Sequence, residues 1–247
     1  MDGIPFLRFF CMKGTGMKIT LLQHTPDPER AVALAAKLCY SSASISELDD
    51  RLSQSDIAGF LEKIMSLGHQ SVLEHISFTF GIDGISRACS HQLVRHRLAS
   101  YSQQSQRYVT FKGDDFPMVI PESISCSAKR SELFSKAVKA AAEAYRGLVE
   151  DGVPAEDARF VLPNAAETKI IVTMNARELL HFFELRCCER AQWEIRAMAI
   201  EMLRLVKPHA PVVFSSAGPG CVGSGCPEGA MTCGRIKEVR EKFGTLR

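Results

Sequence analysis

The sequence predicts an α+β domain, with mixed helices around a central antiparallel or mixed sheet. Three observations carry this reading. Apolar residues recur with helical period over several long stretches, a few short runs alternate with period two, and the two kinds of run do not alternate regularly, as a βαβ succession would require. The 247 residues fit one large domain or at most two, and 46% hydrophobic with 23% charged residues is enough for a real core. A formal net charge of +2 is too mild to direct the chain to nucleic acid or to a membrane surface. No run reaches the ~18 consecutive apolar residues of a membrane span.

The elements follow in order. Residues 1–16 read as a loose N-terminal extension without the basic start of a signal peptide, because the first strand-like run, Met17 to Leu22, begins only after Gly14 and Gly16. Asp27 suits an N-cap with Pro28 at the first helical position, and the helix runs through RAVALAAKLCY. A second helix is predicted from Ser55 through IAGFLEKIMSL, with Gly68 placed to end it. Ile76 to Ile82 is apolar at every second residue and predicts a strand, followed by a helix through RACSHQLVRHR. The polar run SYSQQSQRYVTF is expected to turn into a strand near Tyr108. Ser131 to Glu150 is Ala-rich and helical, and AEDARFVLP is a short helix stopped by Pro163. ETKIIVTM predicts a strand, after which Asn175 and Glu178 make a capping-box-like start. That helical pattern runs to about Lys207 with a break near Cys187-Cys188. The main domain is therefore placed at 17–207, and 208–247 is a Cys- and Gly-rich tail ending in a basic amphipathic turn.

The segment richest in chemistry is Gln92 to Tyr108, QLVRHRLASYSQQSQRY. It holds Arg95, Arg97, Arg107, His96, three Ser and four Gln within seventeen residues. Guanidinium groups present planar, forked donors suited to phosphate oxygens and to a pyrimidine carbonyl edge. A solvated basic helix end followed by a polar loop is the plain alternative. The order of residues is more specific than the composition. Arg95-His96-Arg97, Ser100, Ser105 and Arg107 spell RHRxxSxxxxSxR.

This signature resembles that of the flavin-dependent thymidylate synthases, the family unrelated to the folate-only enzyme with a cysteine nucleophile. Upstream, Gly68 to His75 followed by ISFTF looks like the family's His…Glu-His segment. Downstream, Glu156 to Arg159 with VLP, Asn175 to Phe182, Leu185-Arg186 and Ala191 to Arg196 resemble its later blocks, so the likeness runs from about Met17 to Lys207. The resemblance implies the thymidylate synthase-complementing protein fold, a homotetramer with shared sites, and conversion of dUMP to dTMP. FAD would be the cofactor, NADPH its reductant, and methylenetetrahydrofolate the carbon donor. It assigns His69, Ser71, Glu74, Arg95, His96, Arg97, Asn175, Arg177 and His181 to FAD, with His69, Ser71 and Glu74 coming from another subunit. It assigns Gln92, Arg95, Gln103, Ser105, Arg107, Arg159 and Arg186 to dUMP, with Arg186 reaching the uracil as the catalytic group. Three positions depart from the common pattern: Ser102-Gln103 stands where many members have Asn-Glu, Arg190 where many have His, and Cys39 where many have Ser.

Such chemistry suits this residue set. Side chains cannot carry a hydride, so a cofactor must, and the protein supplies orientation and electrostatics. No Cys or Ser nucleophile with its own base is legible. His69, Glu74 and His75 do not suggest a metal, since positions six apart on a helix lie about 120° off one face. Nine cysteines, an odd and scattered set, fit a reduced cytoplasmic protein better than a disulfide framework. Cys221, Cys226 and Cys233 lack the fourth ligand of a zinc site, so a disordered tail with free thiols is preferred over a metal or a disulfide. Two rival functions stay open: a non-catalytic nucleic-acid binder using the Arg-rich stretch, and another nucleotide-dependent flavoenzyme.

Overall fold

The computed structural model describes residues 16–111 and 116–246; the proposed extension 1–16 lies outside them except for Gly16. Four strands, β1 (Lys18–His24), β2 (Ser77–Ser86), β3 (Ala99–Gln103) and β4 (Glu167–Asn175), form one antiparallel sheet in the order β1-β2-β4-β3. The helices are α1 (Pro28–Leu38), α2 (Ile45–Leu52), α3 (Ile57–Ser66), α4 (Arg87–Leu93), α5 (Glu122–Ser125), α6 (Ala128–Glu150), α7 (Ala155–Ala158), α8 (Ala176–Arg186), α9 (Trp193–Val206) and α10 (Ile236–Gly244). The predicted α+β class holds. Two compact units divide the chain. The smaller holds the described residues up to Lys18, Asp83–Ser90 and Gln103–Lys169; the larger holds Ile19–Ile82, His91–Ser102 and the chain from Ile170.

In the larger unit the central strands bury alternate side chains, as period two requires: Phe78, Phe80 and Ile82 from β2, and Ile170, Val172 and Met174 from β4. Thr79 and Thr173 hydrogen-bond through their hydroxyls at 2.9 Å, which joins β2 to β4. Helix α1 packs on α2 and α3 through Val32, Ala33 and Ala36. Helices α8 and α9 pack on each other and bury Leu179, Phe182 and Phe183, and Ile195, Met198 and Met202. Phe214 closes this core, its ring 5.5 Å from Phe78 and 6.0 Å from Phe183.

Several expectations need correction. Asp27 does precede α1, but it sits in the left-handed region (φ 41°) and its side chain makes no capping bond. Helix α2 was not foreseen; a capping box of Ser44 and Glu47 starts it. The polar run expected to become a strand near Tyr108 does so earlier, as β3, and then turns: the Ser105 carbonyl accepts the N–H of Val109 at 3.0 Å. The tail expected to be disordered is folded. Ala210, Val213, Phe214, Cys221, Val239 and Phe243 are buried, and the basic amphipathic turn is α10.

The smaller unit is built on the long helix α6. Tyr145 of α6 is buried against Phe111 and Phe116, at 6.1 and 6.3 Å. Gly84 (φ 73°) is required here, because a Cβ would lie 2.5 Å from the carbonyl oxygen of Gly16.

Candidate active site

Helix α4 stops at Leu93, and the chain turns so that the Arg95 N–H bonds the Gln92 carbonyl at 3.3 Å and the His96 N–H the Leu93 carbonyl at 3.1 Å. The half-buried phenol of Tyr101 pins this turn, donating to the carbonyls of Leu93 (2.9 Å) and His96 (2.8 Å). Burial, aided by the charge of Glu178, raises that phenol's pKa and keeps it a donor. The turn presents Arg95 and Arg97 to solvent and carries His96 inward, where it is only 5% exposed. Among the described residues neither arginine side chain pairs with a carboxylate.

Both ring nitrogens of His96 are engaged. Nδ1 lies 3.1 Å from Glu178 Oε1, and Nε2 lies 3.0 Å from Arg186 Nε. Burial, the neighbouring Arg186 and His181 push the imidazole pKa down to about 4, so the ring is neutral at physiological pH. Burial raises the pKa of Glu178. The start of α8 supplies three of the expected residues. Asn175 caps it, accepting the Glu178 N–H at 2.9 Å. Exposed Arg177 forms an ion pair with Glu74, and His181 stands edge-on to His96 at 5.9 Å. The capping box predicted at this point is only half made, because the Glu178 carboxylate turns to His96 instead of back to the cap. His69 and Ser71 are exposed, and the Tyr40 hydroxyl lies 3.2 Å from His69 Nδ1. Cys39 is exposed and its thiol donates to the Ala35 carbonyl; Arg190 is also exposed.

The smaller unit gathers a second set. Arg107 Nε donates to Glu156 Oε2 at 2.9 Å, and Arg159 Nε donates to the Glu156 backbone carbonyl at 3.0 Å. One glutamate thus draws together two arginines fifty-two positions apart. Arg87 lies near enough to Arg159 that, after burial, its charge is the second factor lowering the Arg87 pKa. Gln103 Nε2 donates to Ser90 Oγ (3.0 Å) and Thr168 Oγ1 (3.2 Å). Ser90 donates in turn to the Arg87 carbonyl, so its oxygen is the acceptor. Gln103 thus spends its amide N–H groups on two hydroxyls of the same unit. Ser105 Oγ accepts the Arg107 N–H at 3.1 Å. Between them the buried Nε2 of Gln106 has no hydrogen-bond partner.

Of the expected residues, the structure brings together His96, Arg186 and His181, which Glu178 joins; Arg177 and Glu74; and Arg107, Arg159 and Ser105. Gln92 is half-buried on α4. Glu178, Tyr101, Arg87, Gln106 and Glu156 were not singled out for these roles. Glu178 left only a faint signal, since it stands one turn before the buried Phe182 with His181 beside it on the same face. Among the described residues no group of His, Cys, Asp or Glu is arranged to hold a metal ion.

The chain matches one protein family over most of its length. The family model described as thymidylate synthase complementing protein matches residues 20–212. The chain is 74% identical over 227 residues to a flavin-dependent thymidylate synthase of Geobacter sulfurreducens, covering 92% of this chain and 98% of that protein. It is 49% identical to one from Clostridium tetani (94% and 98% covered) and 45% identical to one from Pyrococcus furiosus (92% and 96% covered).

Proposed function

We infer the function from one premise: the chain belongs to the family of flavin-dependent thymidylate synthases. It is an enzyme that converts dUMP to dTMP, with FAD as cofactor and methylenetetrahydrofolate and NADPH as co-substrates. Bound FAD, reduced by NADPH, supplies the hydride that side chains cannot. The chain's own residues bind, orient and stabilise charge.

Arg95 and Arg97 are assigned to the FAD pyrophosphate. Two exposed guanidinium groups with no carboxylate partner among the described residues fit a dianion. His69, Ser71, Glu74, Asn175, Arg177 and His181 complete the flavin contacts, and His96 supports them from its buried position. Gln92, Arg95, Gln103, Ser105, Arg107 and Arg159 are assigned to dUMP, joined by Arg87 and Gln106 from the geometry. The observation that carries the nucleotide site is the convergence of Arg107 and Arg159 beside a buried, unpartnered amide donor. Such a donor is costly to leave unmade and marks where a ligand oxygen belongs. Arg186 is assigned to the uracil, where its charge stabilises the negative charge developing on the ring. Its only hydrogen bond among the described residues runs from Nε to His96, which leaves the terminal nitrogens for a ligand.

A homotetramer with shared sites is proposed as the working form, and the cytoplasm as its compartment, in keeping with eight free cysteines among the described residues. The test is a visible spectrum of the purified protein, followed by anaerobic addition of NADPH, dUMP and methylenetetrahydrofolate. A flavin spectrum, its bleaching by NADPH and formation of dTMP are expected. Bleaching without dTMP would assign a different flavoenzyme. A colourless protein that refuses FAD and binds nucleic acid in a salt-sensitive way would assign the binding function.

A further inference from the structure

Glu178 is buried, charged when ionised, and not needed to cap its helix, because Asn175 already does that. A carboxyl group removed from water is expensive unless something specific compensates it. Here the compensation is His96, and the bonding leaves only one arrangement of protons. An arginine Nε–H can only donate. His96 Nε2, 3.0 Å away, must therefore present a lone pair to Arg186. The single proton of the neutral ring is then on Nδ1, where it is donated to Glu178 Oε1 at 3.1 Å. The opposite tautomer would set two N–H groups against each other at Arg186 and two lone pairs against each other at Glu178.

We propose that Glu178 is a positioning residue for the methylation reaction: it fixes the tautomer and ring orientation of His96, and His96 in turn holds Arg186 by its Nε so that the guanidinium tip faces the pyrimidine. The proposal rests on the assignment of Arg186 to the uracil. Its elements lie on two stretches of the larger unit, the turn after α4 and helix α8, with Glu178 and Arg186 about two turns apart on that helix. Phe182 packs edge-on against the ring at 4.9 Å, and His181 at 5.9 Å, with Arg186, favours its neutral form.

The experiment uses FAD-loaded protein. Glu178→Ala is expected to lower kcat for dTMP formation about ten- to a hundredfold, the range a lost charge-assisted hydrogen bond gives, with flavin content retained. Glu178→Gln keeps an acceptor oxygen for Nδ1–H and should recover most of that loss. Two further readouts separate positioning from a structural role. In selectively 15N-histidine-labelled protein, His96 should show a protonated Nδ1 in the wild type and in Glu178→Gln. In a double-mutant cycle on the dUMP dissociation constant, Glu178→Ala should add nothing once Arg186 is Ala. Wild-type kcat in Glu178→Ala, a Gln variant as damaged as the Ala variant, additive losses in the cycle, or a proton on Nε2 would each overturn the proposal. If Arg186→Ala alone leaves dUMP affinity and dTMP formation unchanged, the assignment of Arg186 is what fails. The histidine spectrum still reports whether Glu178 sets the tautomer.

Discussion

Arg107 and Glu156 are both about half exposed, and an ion pair of that kind is worth only about 0–1 kcal/mol. A phosphate dianion offers the same guanidinium two oxygens and a larger charge, so Glu156 positions Arg107 without competing seriously for it. Arg159, held by the Glu156 backbone, approaches from a different stretch of chain. Removing either arginine should therefore weaken dUMP binding by about ten- to a hundredfold, the loss of roughly 1.5–3 kcal/mol expected for a bond to a charged group. Arg107→Ala and Arg159→Ala should both retain FAD, and Arg95→Ala should lose it. Equilibrium titration with dUMP, paired with the ratio of flavin to protein absorbance, separates the two ligands. Equal loss of both in every variant would undo the division of labour.

At the scale of elements, the last helix, α10, is tied down by one acid. Glu189, in the link between α8 and α9, bonds Arg196 of α9, Arg235 just before α10 and Lys242 within it. Burial alone would raise the Glu189 pKa; the charges of Arg196, Lys242 and Arg235 outweigh that and hold it below the usual 4.5. A depressed carboxylate pKa contributes stability that is present above pH 4.5 and lost as pH falls through the folded-state value. Glu189→Gln should therefore lower the melting temperature near neutral pH, by an amount corresponding to roughly 1–3 kcal/mol. The gap to wild type should close in acid. A gap that persists unchanged at low pH would assign the effect to packing instead. The same acid explains why the tail was misread. Its Gly, Pro and Cys content signals loop, and nothing local announces that Glu189, or Glu29 accepting the N–H groups of Val212 and Val213, anchors it from far along the chain. Elements that carry their own periodicity were legible: β1, β2, β4, α6, and the break between α8 and α9. Strand β3, Ala99–Gln103, is a short edge strand whose alternation rests on only Ala99 and Tyr101 between serines, too little to stand out in a polar run. Helix α2 buries only Leu48 and Leu52, too thin a stripe to notice. The site followed the same rule. Residues in the motif were found in the sequence, whereas Glu178 and Glu156, whose roles exist only through partners brought from elsewhere, were not.

For the whole molecule, exposed apolar side chains stand beside the residues assigned to ligands. Tyr40 is 71% exposed against His69, Leu98 71% after Arg97, Tyr108 80% after Arg107, and Phe160 83% after Arg159. Scattered apolar residues on a surface are ordinary, but large ones that repeatedly flank binding groups imply cover by a ligand or another chain. A shared site explains both features: each chain would lend some groups to its neighbour, and the apolar flanks would be buried where the chains meet. Light scattering should then give four times the 27.3 kDa of the chain. The sharper test mixes two impaired proteins, one carrying Arg107→Ala and the other His69→Ala, after reversible dissociation, and assays them at dUMP too dilute to saturate the Arg107→Ala sites. If these two positions serve one site from different chains, some sites in the mixed assembly receive both intact residues, on the order of a quarter by random exchange, and dTMP formation returns to about that fraction. If each site were complete within one chain, every site would keep one lesion and no activity would return, while the flavin content of the mixture stayed the simple average of its parts.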